Sequence, residues 1–68
     1  MEYEISIFWD KESFVWVAIS DVIPLALESD SIEILMKRVK LAVPELLSLN
    51  KVEIQKPITL SFIFQCEL

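Results

Sequence analysis

The chain has 68 residues, six Lys and Arg against eleven Asp and Glu, a formal charge of −5, no His, no Gly and a single Cys. That inventory excludes an internal disulfide and the common zinc sites, removes the usual general base, and opposes direct binding to a nucleic-acid backbone, which needs clustered positive charge. A domain this short buries only roughly 60% of the surface its unfolded chain exposes, so a composition that is 54% hydrophobic points to a second copy or a partner protein as the missing stabiliser.

The first element expected is a strand from Tyr3 to Trp9, with Tyr3, Ile5, Ile7 and Trp9 on one face and Glu4, Ser6 and Phe8 on the other. The polar stretch Asp10–Ser13 reads as a turn, and Phe14–Ile19 as a second strand. Pairing Trp9 with Val15, Ile7 with Val17 and Ile5 with Ile19 makes one face wholly apolar, which is what fixes a hairpin's register. In that register Phe8 and Trp16 meet on the opposite face beside Ala18, an exposed aromatic patch of the kind that marks an interface. The alternative is that one of the two rings belongs to the core.

Ser20–Pro24 reads as a connection and Leu25–Glu28 as a short third strand, with Leu25 and Leu27 inward. Asp30 followed by Glu33 is a capping-box arrangement, and Ile32, Leu35, Met36, Val39, Val43, Leu46 and Leu47 then recur at helical spacing. A kink or restart is expected at Pro44, and an end near Asn50 in the left-handed conformation. After a polar connection, Ile58, Leu60, Phe62, Phe64 and Cys66 alternate with Thr59, Ser61, Ile63 and Gln65 as a last strand. Phe62, Ile63 and Phe64 place apolar groups on both of its faces. Such a strand either lies in the middle of the domain's own sheet or adds its edge to a neighbour's. The expected architecture is a two-layer α+β domain, β-β-β-α-β, an antiparallel meander with one helix on one face.

Three segments are similar to the HicB-like antitoxin fold, in particular to a short stand-alone bacterial family of HicB-like domains of unknown function. Trp9-Asp10 with Val15-Trp16-Val17-Ala18 looks like that family's acidic turn followed by aromatic-Val-Ala. Asp21-Val22-Ile23-Pro24-Leu25 resembles its Asp-Ile-Pro-Gly-Leu element. Asp30-Ser31-Ile32-Glu33 followed by Val43-Pro44-Glu45-Leu46-Leu47-Ser48-Leu49-Asn50 resembles its capped helix and Pro-Glu-Leu-Leu end. The likeness covers residues 3 to 50. It departs at Phe14 and Leu25, where the family usually has Gly.

The resemblance implies a half ribonuclease-H-like fold and a function: neutralising a small HicA-type mRNA-cleaving toxin by occluding its active site. Full-length members often carry a DNA-binding domain after this fold. The expectation here is one HicB-like domain over residues 1–68 with none appended, and hence no operator binding.

Chemistry of the chain's own is not expected. Asp10 with Glu12, and Glu28 with Asp30, are the close acidic pairs, and two carboxylates without a third ligand serve turns and caps better than a metal. Lys37, Arg38 and Lys40, flanked by Glu33 and Glu45, read as a solvated helix face, and Cys66 lacks a basic partner that would activate it. The acidic amino terminus does not resemble a signal peptide, and no apolar run approaches the ~18 residues of a membrane span, so a cytoplasmic location is expected. The candidate interface is Phe8, Trp16, Ala18, Phe62, Ile63 and Phe64, with a protein partner such as a small basic toxin, homo-oligomerisation, no cofactor, no metal and no enzyme activity. The competing reading is a structural or regulatory homo-oligomer that meets no toxin.

Overall fold

The computed structural model describes residues 1–65. Its elements run β1 (Glu2–Asp10), β2 (Val15–Ile19), β3 (Ala26–Ser29), α1 (Ile32–Leu49) and β4 (Thr59–Gln65), so the α+β class and the β-β-β-α-β order stand as expected. The sheet order is β3-β2-β1-β4. The first three strands form the antiparallel meander, but β4 pairs with β1 in parallel, which makes the sheet mixed. The last strand is therefore an edge strand and not a central one. Parallel pairing requires a crossover, and the helix with its following connection supplies it.

The hairpin register differs from the expected one by a single residue. Asp10 pairs with Val15, Trp9 with Trp16, Phe8 with Val17, Ile7 with Ala18 and Ser6 with Ile19. Because side chains alternate with period 2, this slip turns β2 over. Ala18 and Trp16 join Ile5, Ile7 and Trp9 on the helix side, while Val15, Val17 and Ile19 go to the other face with Phe8. The cause is the turn. The Asp10 carboxylate accepts hydrogen bonds from the N–H groups of Glu12 and Ser13 at 3.0 and 3.4 Å, and Phe14 takes a left-handed φ of 55°. A positive φ at a position without Gly closes the loop in four residues, where the expected register needs five.

The core is Ile5, Ile7, Ala18, Ile23, Leu25, Leu35, Val39, Val43 and Leu47. The helix contributes one residue per turn from 35 to 47, as its spacing requires. Ile23 is buried although it lies in a connection; the Ser20 hydroxyl accepts from the N–H groups of Val22 and Ile23 and turns the chain so that Val22 points out and Ile23 in.

Ser31, and not Asp30, caps the helix: its hydroxyl accepts from the Ile34 N–H at 3.3 Å, so the capping box with Glu33 does not form. The helix passes Pro44 without a restart. It closes with Lys51 in the left-handed region at φ 58°, where the Lys51 N–H donates to the Ser48 carbonyl and the Val52 N–H to the Leu47 carbonyl. This is a Schellman ending built without Gly. Asn50 is not left-handed; it has φ −91°, and its side-chain amide donates to the Leu46 carbonyl at 2.8 Å.

No helix Cα comes within 8 Å of β1 or β4. The helix lies over β2 and β3, so the β1–β4 half of the sheet is covered less on that side.

Candidate protein-binding surfaces

Register and topology together decide what each surface displays. The face of the sheet away from the helix carries Glu2, Glu4, Ser6, Phe8 and Asp10 from β1, and Val15, Val17 and Ile19 from β2. From β3 come Ala26 and Glu28, and from β4 come Thr59, Ser61, Ile63 and Gln65. Its centre is apolar: Phe8 stands opposite Val17, and Ile19 and Ile63 flank Ser6 from either side. Ile19 and Ile63 are exposed; Phe8 and Val17 are half-buried against their neighbours. Its margin holds four carboxylates, and no Lys or Arg lies on the strands of this face. At one end Glu2, Glu4 and Ser6 line a shallow hollow of about 260 Å³ with Asp21 and Val22.

A second apolar surface lies at the hairpin end on the helix side. The Trp9 ring meets Trp16 edge-on at 5.3 Å and Phe14 at 6.5 Å. Phe14 is 70% exposed and Trp9 42%, whereas Trp16 is half-buried and packs on the core. Trp16 pairs with Ser29, two residues before the helix cap, so the cluster sits beside the start of the helix.

The third is the free edge of β4. Leu60 and Phe62 pack on the core, while Ile63 and Phe64 remain 42% and 51% exposed on opposite faces. A fourth feature is an apolar groove of about 340 Å³ between β3 and the second half of the helix, lined by Leu25, Leu27, Ala42 and Leu46 among others.

The expected patch of Phe8, Trp16 and Ala18 does not form. Ala18 is wholly buried under the helix and Trp16 is on its side of the sheet, so only Phe8 remains where the sequence placed it. Phe62 is likewise mostly committed to the core, whereas Ile63 and Phe64 are accessible. Val17, Ile19 and Trp9 were missed as surface groups. For Val17 and Ile19 the signal lay in the turn, since a four-residue loop puts them on the open face; Trp9 keeps its expected face and is exposed at the hairpin end of it. Cys66, placed in the last strand, lies outside the described residues.

The Asp10 carboxylate is engaged in its turn, and among the described residues no three His, Cys, Asp or Glu side chains cluster closely enough to hold a metal ion. Arg38 donates from Nη1 to the Glu28 carbonyl at 2.9 Å, which ties part of the basic cluster to the edge of β3. No helix among the described residues is long and apolar enough to cross a membrane.

Comparison with known proteins gives a consistent answer. A solved structure, that of the hypothetical protein TTHA1013 from the extremely thermophilic bacterium Thermus thermophilus, superposes with a TM-score of 0.88 at 36% identity, covering 100% of this chain and 97% of that one. No curated protein matches. A family model described as a domain of unknown function, DUF1902, matches residues 2–67, nearly the whole chain, and the protein belongs to that family.

Proposed function

We propose that this domain is a protein-binding module of the HicB-like antitoxin kind, which holds a small basic toxin and blocks it by occlusion without chemistry of its own. The observation that carries the reading is the open sheet face: an apolar centre of Phe8, Val17, Ile19 and Ile63, rimmed by Glu2, Glu4, Asp10 and Glu28, with no strand residue of positive charge. An apolar centre supplies affinity once it is desolvated, and a rim of one sign steers and orients a partner of the other. A small protein rich in Lys and Arg meets both demands; a phosphate backbone meets neither. The strand order, with β4 parallel to β1 at the edge, also agrees with the half ribonuclease-H-like fold that the sequence resemblance implies.

The test is co-expression with the product of an adjacent reading frame encoding a basic protein of about domain size or smaller. A stoichiometric complex that suppresses the partner's RNA cleavage, and that weakens as salt rises, is the expected result. Phe8→Ser should weaken it by about 2 kcal/mol, roughly thirtyfold, with the fold retained. Absence of a complex, or undiminished RNA cleavage within one, would overturn the reading.

A further inference from the structure

We infer that β4 is a self-pairing edge, on which a second copy of the chain adds its own β4 antiparallel, centred on Phe62, to join two four-stranded sheets into one of eight. The direction of the amides carries the register. The Thr59 N–H donates to the Met1 carbonyl at 2.7 Å, and Thr59 is the pairing partner of Glu2. In a parallel ladder the amides of one strand alternate between its two sides. Those of Thr59, Ser61, Ile63 and Gln65 therefore point to β1, and those of Leu60, Phe62 and Phe64 point outward, with no strand beyond them among the described residues. Three consecutive outward amides centred on Phe62 are self-complementary. About a two-fold axis at Phe62, that residue pairs with its own copy and Leu60 pairs with the copy's Phe64. All outward N–H and C=O groups are then used, in about six hydrogen bonds.

The side chains allow the same register. Leu60, Phe62 and Phe64 meet across the seam on the helix side, and Ile63 meets Ser61 on the open face, so the two exposed apolar groups of the strand both gain cover. Charge selects the occupant. The chain carries −5, yet the seven residues of β4 contain no Asp, Glu, Lys or Arg, and no Pro or Gly. Two copies meet there without opposing like charges. Natural sheets normally guard a long edge with a charge, a Pro or a bulge, and β4 has none of these.

Edge pairing is independent of the open-face reading, because the variant that tests it alters an edge amide. The wild-type chain, by sedimentation equilibrium across a concentration series up to the order of 100 µM, should reach twice the 7.9 kDa of one chain. Phe64→Pro removes one outward N–H from each copy and no bond to β1, and should weaken association roughly tenfold or more; Phe64→Ala, which keeps the amide, should weaken it less. Circular dichroism checks that Phe64→Pro is folded. Should it unfold, amide exchange of the wild type decides: the amides of Leu60, Phe62 and Phe64 should gain protection as concentration rises, while those of Ser61 and Ile63 are protected throughout. A chain that stays monomeric, a dimer as tight in Phe64→Pro as in wild type, or outward amides that stay unprotected in the assembled protein would each overturn the proposal.

Discussion

β3 and β4 are both edge strands, and they are finished in opposite ways. β3 has only four residues, carries Glu28, and has the Glu28 carbonyl occupied by the Arg38 guanidinium. Helix α1 lies directly above it. β4 has seven residues, no charge, and no helix Cα within 8 Å of its own. Each device on β3 is one that stops a further strand from adding, and each is missing from β4. An undefended edge is ordinarily an aggregation hazard. Where the same small domain defends its other edge so fully, the open one reads as selected for pairing.

The largest test of this contrast is stability. Leu35 is fully buried between the helix and the β2–β3 half, so Leu35→Ala should cost about 2–5 kcal/mol in urea denaturation at fixed protein concentration. Ile63→Ala, at a half-exposed site on β4, should cost under about 1 kcal/mol when measured dilute, where the chain is monomeric. Equal costs would erase the distinction between the two halves.

Next come the two left-handed residues. A side chain with a Cβ in that region costs about 1–2 kcal/mol. Lys51→Gly, in the connection that leads to β4, should therefore raise the unfolding free energy by about 1 kcal/mol with the helix end unchanged. Phe14→Gly should gain less, because it gives up the edge-on contact with Trp9, which offsets about as much. Thermal melts of the two variants side by side give the comparison. The smallest expected effect is that of Arg38→Met, which frees the Glu28 carbonyl for at most about 1 kcal/mol. Its value is diagnostic: if Arg38 guards the edge, the variant should show concentration-dependent association beyond the dimer in sedimentation.

Element order and the core side of β1, the helix and β4 could be read from alternation and helical spacing, because those periods follow from backbone geometry alone. The side of β2 could not. Its register depends on whether the loop after Asp10 spans four residues or five, and that turns on Phe14 adopting a conformation usually left to Gly or Asn. One residue of slip moved Trp16 and Ala18 out of the proposed patch and moved Val17 and Ile19 into view. The helix cap was misplaced by a residue for a similar reason, since Asp30 and Ser31 are both good caps and only the backbone entry at Ser31, φ −111°, ψ 122°, decides between them. The parallel edge position of β4 lies beyond local pattern altogether: a strand with apolar groups on both faces looks the same whether its second neighbour is its own chain or another copy.

The pairing of Glu2 with Thr59 joins residues 57 positions apart, so the two ends of the sequence meet in one ladder. During synthesis the hairpin, β3 and the helix can assemble before β4 has emerged, since the β1–β2 and β2–β3 ladders and the packing of the helix on β2 and β3 join residues that precede it. β1 then waits with an unfilled edge, at a few to some tens of residues per second, until β4 leaves the ribosome. Through that interval the nascent domain is a three-stranded sheet with a bare side where β4 will sit. Chains growing on neighbouring ribosomes of one message can exchange β4 there, since a swapped strand makes the same ladder from Glu2–Thr59 to Phe8–Gln65 without any change of sequence.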